Sequence, residues 1–238
     1  MTYRALTFDC YGTLIDWESG IWNALQPLLS GAGEPVSRRA ALETFAELES
    51  REQAGCPTAL YPEILRVVHA GLADRFGCPS MPDLDDIFAE SVGDWPAFDD
   101  STEALRRLGA CYELVILSNV NRRGFAGSAA RLAINFDAVY TAEDIGSYKP
   151  DPANFDYLIT QLRLGFGIEP SQILHVAQSV FHDLVPGSNA GLDLAWIDRQ
   201  GLSSGGAWGA TATVAEIPPA KFVYPSMMAF ADDLLGRR

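Results

Sequence analysis

No run of apolar residues in this 238-residue chain approaches the roughly 18 to 20 that a membrane span needs. Basic residues are scarce too: 17 Lys and Arg stand against 31 Asp and Glu, a formal charge of −14, and nowhere do basic residues cluster with interleaved aromatics. A field of that sign repels phosphate, so neither a nucleic acid nor an anionic membrane is expected as a partner. Only four cysteines occur, Cys10, Cys56, Cys78 and Cys111, with no CxxC or CxxH pair. That spacing suggests neither a zinc site nor a disulfide framework, and free thiols in a reducing compartment are expected. Met1-Thr2-Tyr3-Arg4 leads straight into a short apolar run without a leader-like h-region, so a cytoplasmic location is expected. Internal repeats and low-complexity segments are absent.

What the chain does have is core material: 48% of residues are apolar, including 12 Phe, 8 Tyr and 5 Trp. Its length suits one core with a smaller insertion. Short apolar runs recur at Ala5–Phe8, Leu114–Leu117, Ala138–Tyr140, Ile173–Ala177, Leu194–Ile197 and Phe222–Tyr224. Most lack polar alternation, as strands buried on both faces do. Helical patterns at Thr102–Leu108, Gly124–Leu132, Pro152–Leu164 and Asp183–Ala190 lie between them. Alternating strands and helices predict an α/β fold, a Rossmann-like parallel sheet with helices on both faces.

One interruption breaks the rhythm. Residues 16–98 carry helical spacing at Ile21–Leu29, Arg38–Gln53, Tyr61–Phe76 and Leu84–Val92, with no convincing strand. The expected organisation is a core of residues 1–15 and 99–238 with a helical cap domain, 16–98, inserted after the first strand. The glycine-rich Gly201–Gly209 is expected to be a loop without a chemical role.

Four segments carry chemistry. Phe8-Asp9-Cys10-Tyr11-Gly12-Thr13-Leu14 falls at the carboxyl end of the first strand, where open parallel sheets place their sites. The others are Leu117-Ser118-Asn119, Ser147-Tyr148-Lys149-Pro150-Asp151, and the stretch from His175 to Asp183. Alone, an Asp before a turn is commonly a cap. Together and in this order, the four segments resemble the haloacid dehalogenase superfamily of hydrolases, over essentially the whole chain.

Position two after the nucleophile separates branches of that superfamily. Its phosphatases carry a second Asp there to protonate a departing alkoxide, whereas this chain has Tyr11. A displaced halide needs no proton, and a phenol is a poor donor at neutral pH. Asp9-Cys10-Tyr11-Gly12-Thr13 is similar to the pattern of the metal-independent L-2-haloacid dehalogenases. The resemblance implies catalytic roles for Asp9 as nucleophile, Lys149 as its cationic partner and Asp183 beside the hydrolytic water. It implies substrate-binding roles for Tyr11, Thr13, Ser118, Asn119 and Ser179, no metal or other cofactor, and a homodimer formed through the cap. The expected reaction hydrolyses the carbon–halogen bond of a short 2-haloalkanoic acid through an aspartyl ester. Two alternatives stay open: a magnesium-dependent small-molecule phosphatase, and a catalytically weak member that binds a small carboxylic acid.

The departures matter as much. Where members of the subfamily carry an arginine facing the halide, the early cap helix has Ala46 or a neighbour; Arg38, Arg39 and Arg51 are out of register. A tyrosine expected six residues after the lysine is Phe155, with Tyr157 or Tyr148 as substitutes. His182 stands where an aromatic wall residue is usual, and reads either as a donor to halide or water, compensating for the arginine, or as a packing residue at the strand end. Asp183 itself could be a helix N-cap. His175 and His69 are expected to be structural. Trp17 and Tyr11 are expected to line an apolar pocket between core and cap.

Overall fold

The computed structural model describes residues 3–79 and 81–237. Six strands form one parallel sheet: β1 (Ala5–Phe8), β2 (Glu113–Ser118), β3 (Ala138–Thr141), β4 (Ile173–Ala177), β5 (Asp193–Ile197) and β6 (Phe222–Tyr224). Their order is β3-β2-β1-β4-β5-β6, with Phe8 level with Ile116 on one side and Val176 on the other. Every residue of β1 and β4 is buried, because helices cover both faces, and this is why neither strand alternates polar with apolar. The strand order reverses between β1 and β4, which opens a crevice at their carboxyl ends.

Between β1 and β2 the chain is helical: α1 (Trp17–Ala24), α2 (Gln26–Leu29), α3 (Arg38–Gly55), α4 (Tyr61–Phe76), α5 (Pro82–Ala89), a 3-10 turn at Ser91–Asp94, and α6 (Ser101–Leu108). Helix α3 starts where the Ser37 side chain accepts from the Ala40 amide, and α4 ends at Gly77 with φ +64°. Apolar positions Ile64, Leu65, Val68 and Leu72 on α4 bury one stripe against Phe45 and Leu48 of α3. The sequence pattern Ile21–Leu29 is divided in two at Leu25, with Pro27 in the first turn of α2.

The helical segment joins the sheet through two adjacent chain crossings. The Asp16 amide donates to Pro96 O (2.8 Å) and the Phe98 amide to Leu14 O (3.0 Å), so outgoing and returning strands clasp each other. Tyr148 adds a tie from the core side, its hydroxyl donating to Ala59 O (2.7 Å). One buried apolar cluster runs without a break from Phe8 and Ile116 to Phe45 and Leu72. The remaining helices, α7 (Arg122–Leu132), α8 (Ala142–Ile145), α9 (Pro152–Phe166), α10 (Val185–Asn189) and α11 (Met227–Gly236), connect or cover the strands. A single π-helical turn, Val180–Leu184, precedes α10, where an ordinary helix starting at Asp183 was expected. No helix among the described residues is long and apolar enough to cross a membrane.

Candidate active site

Asp9 follows β1 at the crevice, its amide donating to Val176 O on β4 (3.1 Å), which carries its carboxylate to the tip of the sheet. The chain must then turn away at once. Gly12 does this with φ +96°, and a Cβ there would meet Gln178 Oε1 at 2.8 Å, so the motif glycine is required twice over.

Both carboxylate oxygens of Asp9 are held: Oδ2 accepts from Thr13 Oγ1 (2.7 Å) and Oδ1 from Lys149 Nζ (2.9 Å). The same ammonium donates to Asp183 Oδ1 (2.6 Å) and to Leu117 O (2.9 Å), so all its three protons are used. Lys149 is 2% exposed, and its backbone is clamped from both sides by Asn119, whose Oδ1 accepts from Lys149 N (2.7 Å) and whose Nδ2 donates to Lys149 O (2.9 Å). Burial opposes the lysine's charge, but Asp183 and Asp9 outweigh it and raise its pKa.

Asp183 sits inside the π turn with Oδ1 also bonded to His175 Nε2 (3.1 Å), while His175 Nδ1 faces Thr7 Oγ1 (2.9 Å). Burial works against its anion, yet Lys149 and His175 together hold the carboxyl below its ordinary range. Its second oxygen, Oδ2, is buried with no partner among the described residues. Asp9 goes the other way: burial pushes its carboxyl up, with Lys149 pulling back and Asp183 adding to the rise. Two carboxylates sharing one cation are thereby driven apart in proton affinity.

Above this floor lies a cavity of about 260 Å³ roofed by the helical segment. Asp9, Lys149, Asp183, Tyr11, Asn119, Ser179 and His182 reach it, and so does Trp17. Tyr11 packs edge-on to Trp95 (5.4 Å) and exchanges a hydrogen bond with Ser128 (2.8 Å), which leaves its ring as an apolar wall. Two of the expected substrate-binding residues do not reach the cavity. Thr13 is buried behind Asp9, bridging it to the Gln178 amide (2.8 Å), and Ser118 is buried at the end of β2, its hydroxyl without a partner among the described residues. In the sequence both sit beside motif residues, but the turn after β1 directs Thr13 inward and the pleat of β2 does the same for Ser118.

Asp183 is not an N-cap; Ser179 fills that position, accepting from the His182 amide (3.1 Å). His182 borders the cavity, and burial lowers its pKa to about 4, so it acts near neutrality as a neutral imidazole. It therefore supplies no positive charge in place of an arginine. Ala46 does face the cavity, and Arg38, Arg39 and Arg51 point elsewhere, to Ser19, Glu43 and Glu52. Phe155 is buried against the His175 ring, Tyr157 packs on Tyr140, and Tyr148 is committed to Ala59, so none of the three substitutes for a cavity tyrosine.

His69 is structural as expected, paired with Asp85 (2.6 Å) and stacked on Phe88. His175 is more than that, because it touches Asp183; only its polar character within an apolar strand hinted at this. Cap residues Glu49, Gln53 and Tyr61 line the cavity without any motif to announce them, as do Ala210–Ala212, just past the glycine-rich loop. Gln200 anchors that loop, accepting from Gln178 Nε2 (2.7 Å) and donating to Thr211 Oγ1 (2.8 Å).

Known proteins share this architecture. The chain is 26% identical over 206 residues to (S)-2-haloacid dehalogenase 4A of Burkholderia cepacia, covering 83% of this chain and 84% of that protein. It is 24% identical over 181 residues to (S)-2-haloacid dehalogenase 1 of Pseudomonas sp. (strain CBS-3), covering 75% and 77%. The L-2-haloacid dehalogenase of Xanthobacter autotrophicus, solved with chloropropionic acid covalently bound, superimposes with a TM-score of 0.79 at 20% identity, each chain covered in full. Residues 3–191 match the family model of the haloacid dehalogenase-like hydrolases, and to that family of hydrolases the chain belongs.

Proposed function

We propose that the protein is a 2-haloacid dehalogenase that displaces halide from a short 2-haloalkanoic acid with Asp9. The observation that carries this is the Lys149-held Asp9 carboxylate at the floor of a cavity whose neighbouring motif position is a tyrosine, not a second carboxylate. Curated relatives across most of the chain are (S)-2-haloacid dehalogenases, which supports the same chemistry.

In the first step an Asp9 oxygen attacks the α-carbon, the carbon–halogen bond breaks, and halide leaves with its electron pair. Lys149 and Thr13 fix the carboxylate in one orientation, which removes much of the entropic cost of the encounter. Tyr11, Trp17 and Trp95 exclude water from the displacement. Water then adds to the acyl carbon of the aspartyl ester, releasing a 2-hydroxy acid and regenerating Asp9. In this proposal Asp183 Oδ2, buried beside Lys149 and without a partner among the described residues, accepts a proton from that water. Asn119 acts through Lys149, whose backbone it clamps. The cytoplasmic location expected from the sequence and the homodimer implied by the family resemblance belong to the same proposal.

Halide release from 2-chloropropionate, measured beside phosphate release from an aryl phosphate with and without magnesium, tests the proposal. The expected result is halide release alone. Phosphate release that depends on magnesium, without halide release, would replace it with the phosphatase alternative.

A further inference from the structure

The floor of the cavity accounts for Asp9, Lys149 and Asp183; the roof contains polar groups that the displacement chemistry leaves unused. Glu49 and Gln53 lie four residues apart on α3 and so share one face of it, and both line the cavity. Tyr61, at the start of α4, donates its hydroxyl to Glu49 Oε1 (2.5 Å). That bond leaves Glu49 Oε2 with no protein donor among the described residues. Gln53 is only 7% exposed, yet its side-chain amide makes no hydrogen bond to any described residue. Its amide is not sealed in the protein but opens onto the cavity, where a bound group can reach it.

Volume points the same way. About 260 Å³ is the space of eight or nine waters at ~30 Å³ each, whereas a haloacetate has five non-hydrogen atoms. The cavity therefore has room for an acid that extends beyond its reacting carbon. The roof carries no arginine or lysine, so a second carboxylate at the far end of the substrate would meet Glu49, and Glu47 at the margin, unpaid by any cation. Resting on the dehalogenase chemistry proposed above, we infer that Glu49 and Gln53 select a 2-haloacid bearing a hydroxyl group on its chain, which donates to Glu49 Oε2 and accepts from Gln53 Nε2. A hydroxyl, both donor and acceptor, satisfies the two roof groups together; a methyl in its place leaves both unbonded. Burial pushes the Glu49 carboxyl up to about 7, which suits a neutral hydroxyl better than a fixed ion pair with an ammonium.

Matched pairs test this: 2-chloro-3-hydroxypropionate against 2-chlorobutanoate, and 2-chloro-5-hydroxypentanoate against 2-chlorohexanoate. In at least one pair kcat/KM for the hydroxylated acid should exceed that of its alkyl partner by about 10-fold or more, because a site built to bond a hydroxyl rejects the analogue lacking it. Glu49→Leu and, separately, Gln53→Leu should bring that ratio to within about two-fold of one, with two independent variants guarding against a local folding defect. A wild-type ratio near one in both pairs, or a ratio unmoved in both variants, overturns the inference. Calorimetric binding of the same acids without halogen gives a readout that needs no turnover. If no chloride is released from any acid, the dehalogenase proposal fails, and tighter binding of the hydroxylated acid, lost in Glu49→Leu, still supports the role of the roof. Equal binding of both members of each pair would overturn it.

Discussion

Lys149 Nζ stands 2.9 Å from Asp9 Oδ1, and the same ammonium reaches Asp183 Oδ1 at 2.6 Å, so a single buried cation separates two buried carboxylates. Replacing it by Lys149→Met removes the shared cation and leaves the two anions only the neighbouring His175 and Thr13 bonds. Breaking a buried pair in this way costs about 3–5 kcal/mol. Urea denaturation should show a loss of that order at pH 7, and a smaller loss at pH 5, where protonation relieves the repulsion. Turnover should fall by at least about 10³-fold, since attack needs Asp9 as an anion in a fixed place. A stable variant with a loss that does not shrink on acidification would contradict this account of the charges.

Acid inactivation should report Asp9. Burial raises its carboxyl above the ordinary aspartate value of 3.8, and the nucleophile works only as the anion, so protonation removes activity at a higher pH than for an exposed Asp. The acid limb of kcat/KM, measured for halide release, should therefore lie above 3.8. A limb below that value would mean that Lys149 outweighs desolvation.

His182 offers a different readout. With its pKa lowered to about 4 by burial, it is a neutral imidazole through the working range, a compact donor beside the reacting centre. His182→Trp adds bulk and replaces the compact imidazole donor with an indole N–H held in a different place. Activity on fluoroacetate should fall more than activity on 2-chloropropionate, because fluoride is the smaller ion and the stronger hydrogen-bond acceptor. Equal losses on the two substrates would show that His182 does not distinguish halogens.

Halide release should also survive a chelator. Asp9 and Asp183 are the two acidic groups at the cavity floor, and Lys149 already supplies positive charge between them. Loss of halide release in EDTA with recovery on added magnesium would require a different assignment of the floor.

Much of this was readable from the residues in order. The runs of β1 and β4, apolar but for Thr7 and His175, pointed to a parallel sheet, and Asp9 and Lys149 sit in motifs whose backbone geometry, the Gly12 turn above all, leaves them little freedom. Thr13 and Ser118 were harder. Whether a polar side chain beside a motif faces the cavity or the interior is decided by the local backbone, the turn after β1 for Thr13 and the end of β2 for Ser118, and both face inward. The roof was not legible at all. Glu49 and Gln53 look like ordinary polar positions on an amphipathic helix, and only the packing of α3 and α4 over the sheet brings them and Tyr61 to the substrate side. Nor could spacing foresee the π turn at Val180–Leu184, which places Asp183 inside the loop and leaves the capping to Ser179.

The central claim is that an Asp9 oxygen becomes bonded to the substrate carbon. A single turnover in ¹⁸O-water with enzyme in excess decides it, because the two available routes move different atoms. With Asp9 as nucleophile, the first product carries protein oxygen, and mass spectrometry finds the label in the peptide spanning Phe8 to Thr13. With water attacking the α-carbon directly and Asp9 or Asp183 as general base, the label appears in the product and that peptide stays unlabelled. Label in Asp9 is the predicted result; an unlabelled Asp9 peptide beside a labelled 2-hydroxy acid would contradict it.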